Sequence, residues 1–575
     1  MVETDGSNVV KHDFSWTYDA KDNVTALTES IGGKSFSYTY AYDDDSRPTS
    51  FGYGDVTKQI TYDGHGRSSG TTVKNGSRTV LGTGYAYRDV DSTYTTTQVK
   101  SVANSYGGKT ANFNYAYDAN GNILSVSGAQ TVTYEYDDLG QLVWEKNATA
   151  GKAWNYTYDN GGNILSRTEY ACSSSGTVSG SGTTTSYTYG DAEWGDLLTA
   201  YDGEEITYDG IGNPLSYRGW AMSWQGGRQL ASMAKGSDTL NFVYNESGLR
   251  TSKTVNGVTH NYVWQGSKLA ADITDAYALY FHYDSSGDVI GFTRTANGTD
   301  TEYFYVKNLQ GDILKVITAT GTEAATYTYD AWGKLLTSTG DMAEVNPLRY
   351  RGYFYDAETG LYYLQSRYYD PEVGRFINLD SFASTGLGIL GANMFVYCMN
   401  NAVFRIDKSG RAPLQSVLLT DSAPQGTMAR LIARQLEAER AYEWLDTRVQ
   451  EVDSPNKFTT STQYLGIGCV AGIAKLSGNL VTDILSTLDV AGTILVVTAV
   501  GGVAGGVACV STLVPVLLIN MSSIGLDVVN IVSSCILTFS DGSYVIDTMS
   551  LKTGNPVVDF LLAQGWSIDT VSRKR

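Results

Sequence analysis

The sequence predicts a mainly β fold built from repeated hairpins, and three observations predict it. Tyrosine (42) and glycine (62) are abundant in a 575-residue chain with only 9 prolines. Aromatic and small polar residues alternate over short stretches, as at Phe113, Tyr115 and Tyr117, which is the period-two pattern of a half-buried strand. Each such stretch runs into an aspartate followed three residues later by a glycine.

In chain order the units are "FNYAYDANGNILSVSG" from Phe113, "VTYEYDDLGQLVWE" from Val132, "WNYTYDNGGNILSR" from Trp154, "ITYDGIGNPLSYR" from Ile206, "LYFHYDSSGDVIGF" from Leu279 and "YTYDAWGKLL" from Tyr327. Their turn pairs are Asp118 and Gly121, Asp137 and Gly140, Asp159 and Gly162, Asp209 and Gly212, Asp284 and Gly287, and Asp330 and Gly333. Aspartate first and glycine fourth suit a type I turn in which the carboxylate accepts a nearby backbone N–H. A second apolar strand follows each turn, so the unit is a hairpin recurring at about twenty residues where it is densest. Tyr-Asp pairs also occur in sugar-binding and catalytic sites, but a feature repeated at turn positions reads as structural: aspartate makes the turn and tyrosine packs on the sheet. Helical signals are nearly absent before residue 410. So long a sheet must close on itself or cover its edges.

Bulk properties narrow the function. A net charge of −19 and a pI near 4.7 argue against a nucleic-acid-coating surface, which needs clustered Lys and Arg. Five cysteines make no disulfide framework, and Cys469, Cys509 and Cys535 read as buried free thiols in the most apolar stretch. The four histidines, His12, His65, His260 and His282, stand far apart without companion cysteines, so no zinc site, no other metal and no cofactor is expected. The start, "MVETDGSNVVKHD", has acids where a signal peptide carries its basic region. Either the chain is not Sec-exported by itself or its true beginning is missing.

The "YD…G" units resemble the YD repeats of the Rhs family, and "GYFYDAETGLYYLQSRYYDPEVGRFINLD", Gly352 to Asp380, is similar to the Rhs-associated core segment nearly throughout. The likeness covers roughly residues 10 to 410 and implies a spiralling, cocoon-like β-shell that encloses a C-terminal toxin. It divides the chain into a repeat shell (1–345), a core that closes it (346–410) and a variable C-terminal region (411–575). In the family the core cuts the chain just after itself through aspartates arranged as in an aspartic protease. The matching positions here are Asp380 in "INLDSF" and Asp407 in "RIDKSGRA", with the cut at Gly410, Arg411 and Ala412. Two close carboxylates share one proton, so one activates water while the other polarises the scissile carbonyl. Arg375 is a candidate to orient this pair. Asp370 is a third member or, on the structural reading, the ion-pair partner of Arg367. The chain departs from the family pattern in three places: Asp380 precedes serine instead of proline, "NNP" reads "NNA" at Asn400 to Ala402, and "DPxGL" reads "DKSGR". Retained cleavage and a shell that has lost it both stay open.

Composition changes at residue 411. Thr427 to Glu451 is rich in helix formers, and no charged residue stands between Asp489 and Asp527, a run longer than the roughly twenty residues a membrane span requires. The region is expected to be mainly α, and its apolar segment, 490–539, either inserts into a target membrane or packs as buried cargo. No histidine follows His282, which disfavours His-based nuclease or nucleophile chemistry in the tail. The resemblance implies the C-terminal part of an Rhs-type polymorphic toxin, secreted or at the cell surface. Its implied partners are a cognate immunity protein, a secretion apparatus or missing N-terminal region and, for a membrane-active tail, the target membrane. The alternative is a cell-surface or wall-associated YD-repeat protein that binds carbohydrate or neighbouring cells.

Overall fold

The computed structural model describes residues 12–90, 94–380 and 390–411, together with isolated strand segments farther along. The chain divides into two compact units, one of Met1–Phe382 with Ile389–Ala429, the other of Ala383–Gly388 with Arg430–Arg575. The first unit contains both the repeats and the core segment. Its strands are antiparallel and follow one another in sequence, 17 of them from His12–Tyr18 to Glu204–Glu205 in one sheet and 14 from Thr207–Tyr208 to Leu335–Thr339 in another. The described residues contain no α-helix, only strands and single 3-10 turns.

One local geometry recurs at the six turns. In each, the Asp Oδ1 accepts the backbone N–H groups two and four residues on, at 2.8–3.0 Å. The glycine at the fourth position has φ between +77° and +87°, where a side chain would be strained. The strand register then slips by one residue at the tyrosine preceding the aspartate, leaving a bulge residue such as Leu124, Leu165 or Leu215. These tyrosines do more than pack. Tyr136 donates its hydroxyl to Ile123 O at 2.7 Å and Tyr158 to Leu142 O at 2.5 Å, each reaching the first strand residue past the preceding turn. Tyr117, Tyr208, Tyr283 and Tyr329 make the same kind of bond, to Val99, Leu198, Leu269 and Ile313.

The two sheets share a buried seam. Tyr38 donates to Glu29 at 2.9 Å and lies 3.0 Å from His282 Nδ1, while His282 Nε2 lies 2.7 Å from Thr293 Oγ1, which donates to Glu302 at 2.7 Å. The core segment adds a four-stranded sheet of Phe354–Asp356, Leu361–Tyr363, Tyr368–Asp370 and Arg375–Phe376. Its tyrosines converge on one repeat turn: Tyr350, Tyr369 and Tyr362 donate to the carbonyls of Ala331, Trp332 and Gly333 at 2.9, 2.7 and 3.0 Å.

In the second unit the apolar run 490–539, expected to be helical, contributes only short strands to the described residues: Thr493–Leu495, Ala508–Thr512, Leu517–Ile519 and Ile536–Phe539. The helix expected over Thr427 to Glu451 lies outside the described residues, as does Ala412. Among the described residues no helix is long and apolar enough to cross a membrane, a statement that leaves β-barrels aside.

Candidate self-cleavage site

Asp407 and Gly410 stand three residues apart, the spacing of the repeat turns, and they fold like one. Asp407 Oδ1 accepts Ser409 N–H at 3.3 Å and Arg411 N–H at 3.1 Å, and Gly410 has φ +72°. "DKSGR" is thus a turn of the repeat type without its proline. At four of the repeat turns the side chain after the glycine donates to the second aspartate oxygen, as Asn122, Gln141, Asn163 and Asn213 do at 2.7–2.9 Å, while at Asp284 that oxygen meets the distant Lys58. At Asp407 that oxygen faces Arg367 instead, with Oδ2 3.4 Å from Nη2.

Arg367 draws the rest together. The same Nη2 lies 2.9 Å from Asp380 Oδ2, Nε donates to the Gly410 carbonyl oxygen, and Nη1 donates to Met394 O at 3.0 Å. Its guanidinium lies over the Phe376 ring, 3.5 Å from the centroid. Arg367, Asp380 and Asp407 are all buried, at 4%, 4% and 1% exposure, so their interactions act in a low-dielectric setting. Burial pushes the Asp407 carboxyl above its ordinary value; Arg367 opposes the rise and Asp380 reinforces it. Two carboxyls and one guanidinium buried together are neutral when one carboxyl keeps a proton. Arg228, only partly buried, donates to the Leu379 carbonyl at 2.8 Å and to that of Asp380. Tyr353 fixes the other aspartate, its hydroxyl accepting Asp407 N–H at 2.8 Å. Gly410 is held tightly: a Cβ there would come within 2.7 Å of Leu364 O and 2.8 Å of Ser366 Oγ.

Two sequence candidates lie elsewhere. Arg375 donates to Asn163 Oδ1 at 2.9 Å, Tyr189 Oη at 3.1 Å and Asp196 O at 2.9 Å, and so anchors the core to the repeats instead of orienting the aspartates. Asp370 accepts from Tyr217 at 3.0 Å and Arg218 at 2.8 Å and does not pair with Arg367. Residues three apart along an extended chain point to opposite faces, which separates Arg367 from Asp370. Sequence reasoning missed Arg367 as the hub, along with Tyr353 and three asparagines. Asn401 Nδ2 donates to Asn122 Oδ1 and Gly140 O, both at 2.9 Å; Asn400 Nδ2 donates to Gln141 Oε1 and Gly162 O at 2.8 and 2.7 Å. Asn393 Nδ2 donates to Asn163 Oδ1 at 2.8 Å and Gly161 O at 3.2 Å. The available signal was "NN" itself, a pair of amides where the chain otherwise turns apolar. No cluster of three His, Cys, Asp or Glu side chains able to hold a metal occurs among the described residues.

Known proteins resemble the chain in sequence and in fold. The family model of the Teneurin YD-shell matches residues 3–149 and 54–397. The tRNA3(Ser)-specific nuclease WapA of Bacillus spizizenii is 36% identical over 221 residues, which are 37% of this chain and 9% of that protein. Double-stranded DNA deaminase toxin A of Burkholderia cenocepacia is 26% identical over 326 residues, 50% of this chain and 21% of that protein. The chain therefore spans a small part of these relatives' length. Among solved structures, TcdB2-TccC3-Cdc42 superposes with a TM-score of 0.57 at 18% identity, covering 72% of this chain and 22% of that one. TcdB2-TccC3-TEV gives 0.54 at 18% identity, covering 70% and 22%. At that identity the likeness speaks for the fold, a β-shell of hairpin repeats. On the extent of the family match, the chain belongs to the Teneurin YD-shell family and is an Rhs/YD-repeat protein.

Proposed function

We propose that this chain is the shell and core of an Rhs-type polymorphic toxin, and that its core cuts the chain within Gly410 to Ala412 to free the C-terminal region as cargo. The observation that carries the proposal is the convergence of Asp380, Asp407 and the Gly410 carbonyl on Arg367. The Gly410–Arg411 bond has the best-placed groups. Its carbonyl oxygen rests on a guanidinium that can hold an oxyanion, and its nitrogen lies 3.1 Å from Asp407 Oδ1. Water adds to the carbonyl carbon as Asp380 takes its proton; the C–N bond then breaks as Asp407 gives its proton to the departing Arg411 nitrogen. The products are a Gly410 carboxylate and an Arg411 amine, with one water consumed. The raised Asp407 carboxyl suits the acid role. Folding holds bond and catalyst together, so a single turnover suffices.

Intact mass of the purified chain, beside Asp380→Asn and Asp407→Asn variants, tests this. The wild type is expected as two fragments, the second beginning at Arg411 or Ala412, with both variants whole and the cleavage rate falling as pH rises through the raised Asp407 pKa. An uncut wild type sinks the cleavage reading. The toxin reading is supported by the WapA and deaminase-toxin relatives and brings with it an immunity partner and a secretion route. The charge-free run from Val490 to Leu526 supports membrane activity for the cargo, which dye leakage from vesicles treated with the released fragment would measure.

A further inference from the structure

We infer that Asn400 and Asn401 are positioning residues that make self-cleavage conditional on the repeat turns between Asp118 and Asn163 being folded. The inference rests on the cleavage reading above and concerns when that site comes into being. Each amide group bridges two successive turns: Asn401 the turns at 118–122 and 137–141, Asn400 the turns at 137–141 and 159–163. Both side chains are buried, at 3% and 1% exposure, so without the turns their donors would have no substitute for water.

The backbone at this point is unfavourable by itself. Cys398, Met399 and Asn400 have φ of +50°, +56° and +58°, three consecutive non-glycine residues in the left-handed region, where a Cβ crowds the backbone. Such a conformation persists only where its surroundings impose it, and the turns that bind Asn400 and Asn401 are part of those surroundings. From there the path to the site is short and bonded throughout. Asn401 Oδ1 accepts Phe404 N–H at 3.1 Å, Asn401 O accepts Arg405 N–H at 3.0 Å, and Asp407 follows two residues on. Within the core, Tyr350 and Arg351 also bond the Ala402 carbonyl and Tyr353 the Asp407 N–H, so undocking from the turns is expected to loosen the 398–405 segment and with it the delivery of Asp407 and Gly410 to Arg367. Cleavage thereby reports that turns some 240 to 280 positions upstream in sequence have formed.

The experiment compares cleavage rates of the full chain and of Asn401→Asp, which keeps the acceptor for Phe404 N–H and loses both donors. Asn122→Ala, its partner on the repeat side, and the Asn401→Asp/Asn122→Ala double variant complete a cycle. Each single change is expected to slow cleavage at least tenfold, and the double change to slow it no more than the worse single one. Hydrogen exchange is expected to rise in 393–411 while protection of the sheets stays as in the wild type, which separates lost registration from general unfolding. Wild-type cleavage rates in Asn401→Asp and Asn122→Ala, with Asp407→Asn still uncut, would overturn the inference and leave the cleavage reading standing. A wild type that is never cut removes the cleavage reading, and the inference with it. If Asn401→Asp disturbs the sheets, Asn400→Ala replaces it, paired with Gln141→Ala and judged by the same outcomes.

Discussion

The repeats and the core segment use the same residue types for opposite purposes. Within the repeat unit, the tyrosine before each turn and the aspartate that opens it bond within one hairpin of themselves, as with Tyr136 and Ile123 or Asp118 and Asn122. In the core they act at a distance: Asp356 meets Arg250 across 106 positions and Asp370 meets Tyr217 across 153. A repeat therefore carries its own instructions, whereas the core reads instructions written elsewhere in the chain. Stability should divide along the same line, and three measurements test that division.

The largest effect is expected in the core. Asp356 holds Arg250 through two bonds, at 2.7 and 3.0 Å, and Lys253 at 2.8 Å, with Asp356 and Arg250 both at 1% exposure. Asp356→Ala leaves a buried guanidinium uncompensated and should lower unfolding stability by about 3–5 kcal/mol, read from the denaturant midpoint. A loss no larger than that of a repeat turn would erase the distinction between the two regions.

The seam between the two large sheets comes next, because it is a long-range contact made by repeat residues. Burial pushes the His282 imidazole down to about 3 from an ordinary 6.5, so its share of stability is lost as pH falls below 6.5. Burial, opposed by the Tyr38 hydroxyl, raises the Glu29 carboxyl to about 7 from 4.5, so its share is lost as pH rises from 4.5 through 7. Between 4.5 and 6.5 the two slopes oppose each other. The groups facing His282 are Tyr38, Tyr53, Phe36, Thr293 and Glu302, and Glu302 is also raised by burial. Glu29→Gln together with Glu302→Gln removes both opposing slopes, and stability should then climb with pH over that window by up to about 1.4 kcal/mol per unit. A pH-flat variant would mean that His282 is not held neutral by the seam.

The smallest effect belongs to a single repeat. Asp118→Ala removes a carboxylate that accepts two backbone N–H groups and the Asn122 amide, all at 2.8 Å, from a half-buried position. About 1–2 kcal/mol is expected from equilibrium unfolding. Chevron slopes identical to the wild type would show that the change stays within its hairpin.

The same division explains what could be read from the sequence. Strands and turns were legible because alternation and the Asp-x-x-Gly spacing are local, and the two aspartates were legible through resemblance to a family motif. Arg367, Arg375 and Asp370 were not assignable, since strand alternation sends neighbours to opposite faces and their partners come from other strands. Asn400 and Asn401 looked like a departure from a motif because the turns they bind lie far upstream. The apolar run 490–539 left a membrane span and a buried segment both open, because hydropathy alone does not separate them.

The tyrosine bond from each hairpin to the one before it has a consequence for how such chains change length. A contact that refers only to the previous unit keeps its meaning when whole units are duplicated or deleted elsewhere, so the tyrosine bonds tolerate such changes, whereas the Tyr38–His282 seam ties the first repeats to a fixed place in the second sheet. Between Asp118 and Asn163 the asparagines act as a ruler spanning three consecutive turns, and a gained or lost hairpin there leaves the ruler against the wrong marks. Length variation among related chains is accordingly expected to spare these three turns.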